Sequence, residues 1–214
     1  MDGNAELGLR ERKRLKTRDA LVRAALDLFR AQGYDATTII EIANSIDLSK
    51  RTFLRYFDGK EEVLLSVVRE VYDALLTELR RRPAGEEPLA ALRHATHHAV
   101  REVADSYPDH RGCPIYLVVL ELLQTTPALN TAQFRVLMEY RELITRVLAE
   151  RERIDPASDP RPRVLSVLFA ATMLISAHTW HERGGGGIEA LLASLDEHLA
   201  SIAPAVSGHW SDAA

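Results

Sequence analysis

One cysteine, Cys113, stands among 214 residues, which excludes an intramolecular disulfide and leaves no thiolate cluster for zinc or iron–sulfur. It reads as a small hydrophobe, with a redox sensor as the alternative. Long apolar runs are missing too. The longest, Val164 to Ala177, is interrupted by Ser166, Thr172 and Ser176, and it falls short of the roughly 20 residues that span a bilayer. No charged-then-apolar signal segment opens the sequence, so a cytoplasmic location and no membrane partner are expected. No glycine-rich phosphate loop follows a strand, since Gly184 to Gly187 lack the Lys-Ser/Thr that would complete one. Nucleophile elbow, paired-acid and HExxH motifs are also absent. The expectation is therefore a chain that is not an enzyme and carries no cofactor and no metal.

A surplus of positive charge is lacking as well: 27 Lys+Arg face 31 Asp+Glu, a net charge of −4. Divided along the chain, the balance changes. Residues 1–60 hold 12 basic against 9 acidic side chains, and the rest hold 15 against 22. Six basic residues (Arg10, Arg12, Lys13, Arg14, Lys16 and Arg18) and only one acid, Glu11, fall within Arg10 to Arg18. Such an arm in front of a compact domain suits phosphate contacts. A solubilising tail would look the same.

What is present is helical periodicity. Leu21, Ala24, Ala25, Leu28 and Phe29 mark an amphipathic helix over 18–32 that Gly33 ends. Thr38-Ile-Ile-Glu41 is a capping box opening a short helix over 38–45. Asp47-Leu48-Ser49 supplies a turn and a new N-cap for a helix to about Tyr56. Val63, Leu64, Val67, Val68, Val71, Leu75 and Leu79 carry a helix over 59–82, about 36 Å long at 1.5 Å per residue. Breakers at Pro83–Pro88, Tyr107–Pro114, Thr125–Pro127, Asp155–Pro162 and Gly184–Gly187 separate segments over 88–106, 114–124, 127–153, 161–183 and 187–203. No segment alternates as a strand does, so the fold class is all-α.

Two short capped helices joined by a polar turn, behind a longer helix and a basic arm, are the parts of a helix-turn-helix that reads a DNA major groove. Ser49, Lys50, Arg51, Thr52, Arg55, Tyr56 and Lys60 supply donors for phosphates and base edges. Phe53, Phe57, Ile42, Ile46 and Leu48 would form the core beneath. A solvated polar helix remains the bland alternative for any one of them.

The ordered set Ala24-Ala25, Leu28-Phe29, Gly33-Tyr34, Thr37-Thr38, Ile42-Ala43, Leu48-Ser49, Thr52, Tyr56-Phe57 and Lys60-Glu61 resembles the DNA-binding domain of TetR-family repressors. The resemblance implies nine helices, dimerisation through the last two, and an inducer pocket in the C-terminal domain. It also implies Thr38 and Lys60 as phosphate contacts and Lys50 to Tyr56 as the recognition segment. With Arg14, Lys16, Arg18 and Thr37 these complete the candidate DNA contacts. Two positions depart from the family pattern: Asp47 stands where the turn glycine is common, and Leu54 where an aromatic often meets the DNA backbone. The expected division is a flexible basic arm over 1–16, a helix-turn-helix domain over 17–58, a ligand-binding and dimerisation domain over 59–205 and a disordered tail over 206–214.

In the C-terminal half, Pro127-Ala-Leu and Asp159-Pro-Arg-Pro162 loosely resemble members that sense acyl-thioesters or other lipophilic metabolites. Candidate pocket residues are Tyr116, Leu120, Phe134, Met138, Met173 and Trp180. The 161–183 helix is apolar nearly all round, and Ile188, Leu191, Leu192, Leu195, Leu199 and Ile202 form one stripe on the last helix. Leu165, Leu168, Ile175, Ile188, Leu192, Leu195 and Leu199 are thus candidates for a four-helix interface with a second copy, or for ordinary core. His94 and His98 have i,i+4 spacing that can bind zinc, although a solvated face fits better without further ligands. His178 and His181 beside Trp180 suit a pocket or a dimer seam. The reading is a dimer that binds double-stranded operator DNA and is released by a small-molecule inducer. The alternatives are a ligand-independent architectural or activating DNA-binding protein, and a helical enzyme or metal protein using the histidines.

Overall fold

The computed structural model describes residues 8–107, 110 and 112–207. Among them are nine α-helices and no strand: α1 (Leu9–Gln32), α2 (Ile39–Asn44), α3 (Lys50–Phe53), α4 (Lys60–Arg81), α5 (Pro88–Ser106), α6 (Ile115–Thr125), α7 (Asn130–Glu152), α8 (Arg161–Glu182) and α9 (Ile188–Ser207). A single 3₁₀ turn, Pro127–Leu129, precedes α7. The chain forms two compact units that part between Ser66 and Val67, within α4, eight residues later than the breakers alone suggested.

The smaller unit closes around the apolar faces of its helices. Leu21, Val22, Leu26, Phe29, Ile42, Phe53 and Phe57 are buried, and the Phe53 and Phe57 rings pack with centroids 5.6 Å apart. Here α1 departs from expectation, since it begins at Leu9 and residues 9–16 of the anticipated flexible arm are helical. Arg, Lys, Leu and Glu propagate a helix already nucleated by the buried turn behind them. No residue of α1 before Leu21 is buried, so this extension stands on propensity and the local Glu11–Arg14 pair, without packing. Residues 1–7 of the arm and 208–214 of the tail lie outside the described residues, whereas α9 runs on to Ser207.

In the larger unit α8 lies against both α7 and α9, and α5 against α9. By length and composition α8 could cross a membrane. Its burial of Ser166, Thr172 and Ser176 beside Phe169 and Trp180 marks it as a packed helix instead. Two-pronged ion pairs fasten α5 to α9: Arg93 donates to Asp196 at 2.6 Å through both prongs, and Arg101 to Glu189 at 3.0 and 2.9 Å. The glycine run makes the α8–α9 turn, with Gly184, Gly185 and Gly186 all at positive φ. At the end of α4, the Arg151 guanidinium of α7 donates to the carbonyls of Leu79, Arg82 and Pro83 at 2.8–3.0 Å, satisfying groups that a helix end leaves open.

Candidate nucleic-acid interface

The helix-turn-helix is built by two caps and one strained residue. Thr38 Oγ1 accepts from the Glu41 amide at 3.2 Å, and Glu41 Oε2 accepts from the Thr38 amide at 2.8 Å. The Thr38 hydroxyl, which lies 2.8 Å from Glu41 Oε2, and then the Thr38 amide hold the Glu41 carboxyl below its ordinary range. Asp47 makes the turn with φ at +56°, a left-handed conformation that Asp tolerates better than most residues. Its neighbour Leu48 returns an amide to the Ala43 carbonyl at 2.9 Å. Ser49 Oγ then caps α3 by accepting from the Thr52 amide at 3.1 Å. Regular α-helix covers only Lys50–Phe53, and the backbone bonds from Arg55, Tyr56 and Phe57 back to Thr52 and Phe53 continue it as turns.

This geometry sorts the candidate contacts. Lys16, Ser49, Lys50, Arg51 and Arg55 are exposed, with Thr52 and Tyr56 half-buried among them. Buried Phe53 and Phe57 turn the cationic face outward. The Arg55 guanidinium lies 5.4 Å from the Tyr56 ring centre and that of Arg18 5.7 Å from Phe57, contacts that stiffen both side chains. Arg14 pairs with Glu11 at 2.7 Å in the open, a weak surface pair that a phosphate could displace. Two candidates do something else. Thr37 is buried and its hydroxyl donates to the Gly33 carbonyl at 2.8 Å, so it caps α1 and is not presented outward. Lys60 spends all three N–H donors on the carbonyls of Tyr34, Thr37 and Asp35, at 2.7, 2.9 and 3.3 Å. It staples the α1–α2 loop to the start of α4, so its ammonium is not held out as a phosphate contact. Sequence reasoning missed Ile40, which is 51% exposed beside the capping box. The helical period could have found it, since Ile42 and Ala43 take the inward positions.

The larger unit encloses an apolar cavity of about 40 Å³. Tyr116, Leu120 and Met173 line it, as do Val68, Tyr72 and Leu137. Three other pocket candidates fall elsewhere. Phe134 is 57% exposed on α7, and Met138 lies one residue beyond Leu137 on a different side of that helix. Trp180 is buried at the α8 end, where Gly185 reaches over its ring.

Residues 21–67 match the model described as bacterial regulatory proteins, tetR family, and residues 86–207 match the MftR C-terminal domain. The regulator TcmR of Streptomyces glaucescens is 36% identical over 95% of this chain and 90% of its own length. The chain belongs to the TetR family. Among solved structures, the Thermus thermophilus TetR-family repressor FadR, in complex with lauroyl-CoA, aligns with a TM-score of 0.52 at 27% identity, over 92% of this chain and 98% of that one. The fold is shared further with Bacillus halodurans FadR, at a TM-score of 0.57 and 18% identity over 90% and 97% of the two chains. A TetR-family member is a DNA-binding regulator of transcription, and the exposed face of α3 belongs to the helix-turn-helix of such a protein.

Within this TetR-family chain the interface candidates divide by helix. On α8, Ile175 is 51% exposed, with Leu165 and Leu168 half-buried. Exposed Val164 and Val167 extend the same side of the helix. Of the four α9 candidates only Ile188 keeps appreciable surface, because Leu192, Leu195 and Leu199 are buried inside the protomer. The α9 stripe is therefore core: it packs on α5 and α8, and Leu192 and Leu195 wall the cavity. The histidines are held by carboxylates, His94 Nδ1 at 2.6 Å from Glu86 and His97 Nε2 at 2.8 Å from Asp196. Among the described residues, no group of three or more His, Cys, Asp or Glu is placed to share a metal ion. His178 is exposed near Gln124 and Glu182, and neither it nor His181 lines the cavity. Cys113 is half-buried.

Proposed function

We propose that this protein is a homodimeric repressor that binds a pseudo-palindromic operator in the cytoplasm and is released when a small lipophilic ligand enters the cavity of its larger unit. The observation carrying the reading is the exposed trio Lys50, Arg51 and Arg55 on a segment whose opposite side, Phe53 and Phe57, is buried. Such a segment reads a major groove by arginine and lysine donors to phosphates and guanine edges. Two copies would meet through the apolar α8 face at Val164, Val167 and Ile175 in an isologous contact, and a dimer of such segments reads half-sites about one helical turn apart on DNA. The T. thermophilus relative, a repressor in complex with lauroyl-CoA, supports both repression and a lipophilic effector.

The cavity's small size favours a second reading, a DNA-binding protein that needs no ligand. Selection of bound genomic fragments by the purified protein, followed by anisotropy titration of the best fragment at two salt concentrations, tests the first half. A two-fold-symmetric site bound more weakly as salt rises is expected, whereas sequence-blind binding would sink the operator reading. Ligand dependence is tested by adding a molecule shown to bind: unchanged operator affinity would select the second reading, since coupling must appear in both equilibria.

A further inference from the structure

The cavity of the larger unit is walled by fifteen residues, none of them Asp, Glu, Lys, Arg or His. What sets it apart is the state of its tyrosines. Two tyrosines of the same unit, Tyr107 and Tyr140, have carboxylate partners: Tyr107 donates to Glu70 Oε2 at 2.6 Å and Tyr140 to Asp73 Oδ1 at 2.7 Å. Tyr72 and Tyr116, which line the cavity, are only 7% and 5% exposed. Neither hydroxyl hydrogen-bonds to another described residue. Nor are they among the fully sealed polar atoms without partners, which are His110 Nε2, Arg151 Nε and Trp180 Nε1. The two hydroxyls thus keep a little surface, and their residues wall the cavity. Burial pushes both phenols well above the ordinary tyrosine range, so they stay protonated as donors. The other hydroxyls of the wall already donate to their own helices, Thr96 to Leu92 and Ser176 to Thr172, both at 2.7 Å.

A hydroxyl that has no protein acceptor but keeps a little surface is free to donate to an acceptor that a ligand brings, and a ligand without one forgoes that bond. A charged ligand group would find no counter-charge in the wall and would lose its hydration. We propose that the cavity takes an uncharged, largely apolar molecule with hydrogen-bond-accepting oxygens of the ketone or ester kind, and that Tyr72 and Tyr116 donate to those oxygens. The inference rests on the cavity being the effector site proposed above. The half-buried Gln133 amide at the same wall supplies a further polar anchor. With about 40 Å³ available, the site must open as it fills. Met173, half-buried and unbranched, is the side chain best able to yield.

Calorimetric titration of the full chain with three probes on one ring system tests this: 2-acetylnaphthalene, 2-ethylnaphthalene and 2-naphthoate. The ketone should bind about tenfold more tightly than the hydrocarbon, and naphthoate more weakly than either. In a Tyr72→Phe/Tyr116→Phe double variant the ketone's advantage should vanish while ethylnaphthalene affinity is kept, which also shows that the variant is folded. If the double variant loses both, the single variants are read separately, and each should narrow the ketone-to-hydrocarbon ratio. Equal binding of ketone and hydrocarbon, naphthoate binding tightest, an advantage that survives removal of the hydroxyls, or no binding of any probe would overturn the proposal. Operator anisotropy run alongside separates the two levels. A ketone preference without DNA release leaves the ligand class standing and removes the release mechanism. DNA release by all three probes alike does the reverse.

Discussion

Lys50 opens α3 and Lys60 opens α4, and the two hold their charges for different ends. The Lys60 ammonium closes three carbonyls of the α1–α2 loop, while Lys50 is exposed at the first turn of α3. Lys60→Met should therefore lower thermal stability by about 1–3 kcal/mol, the cost of unsatisfied backbone acceptors, visible as an earlier melt by circular dichroism. Lys50→Ala should leave the melt in place, weaken operator binding and flatten its salt dependence by about one unit of slope, as loss of one phosphate contact does. A Lys60→Met variant with an unaltered melt and a flattened slope would return that residue to the phosphates. The helix-turn-helix was legible because its caps are local: Thr38 with Glu41, and Ser49 with Thr52, are three residues apart and write their bonds into the sequence. The partners of Lys60 lie 23 to 26 residues away, and no spacing rule reaches them. Thr37 and Thr38 look alike as adjacent threonines, yet one hydroxyl turns in to Gly33 and the other caps α2.

At the scale of elements, α9 shows why a stripe alone could not assign the interface. Leu192, Leu195 and Leu199 have the spacing of a seam, and the packing of α5 and α8 consumes it. On α8 the period conceals both roles, since apolar residues cover nearly the whole circumference and only burial separates Phe169 from Ile175. The pairing of α8 with α9 depends on the glycine turn. Gly186 has φ at +124°, and a Cβ there would meet the Ala190 Cβ at 3.0 Å. Gly186→Ala should cost at least about 1–2 kcal/mol from backbone conformation alone, seen as a lower urea midpoint with an unchanged slope. Gly187→Ala, with open space at its Cβ, is the control expected to behave as the parent. Acid should loosen the contacts of α5 with α9 and with the end of α4. Arg93 and then His97 hold Asp196 below its ordinary range, and Arg101 does so for Glu189. Glu86 is lowered to about 2, chiefly by its bond to Arg82. A carboxyl lowered in the folded chain stabilises it above the unfolded pKa, about 4 for these residues, and that stability is lost as pH falls through the folded value. Denaturant midpoints should accordingly hold from neutrality to about pH 5 and decline below pH 4.5, toward the Glu86 value of about 2.

For the whole molecule, the exposed side of α8 is where the proposed dimer would meet. Val164, Val167 and Ile175 are each about half exposed, at 54, 47 and 51%, and form on one side of α8 an apolar patch that a partner could cover. Ile175→Glu should convert a dimer into monomers in sedimentation equilibrium and abolish cooperative binding to a two-half-site operator, with single-half-site binding retained. A variant that remains dimeric would move the interface off this face. The other feature with reach beyond its own residues is the near-closed cavity. With about 40 Å³ of room, the proposed effector site would admit its ligand only in the fraction of time that its lining side chains stand aside, and the apparent affinity would be reduced by that fraction. Association should then level off as ligand concentration rises, limited by opening and not by encounter. With the cavity as the proposed effector site, the rate of opening would set how soon a ligand could act, however abundant that ligand was.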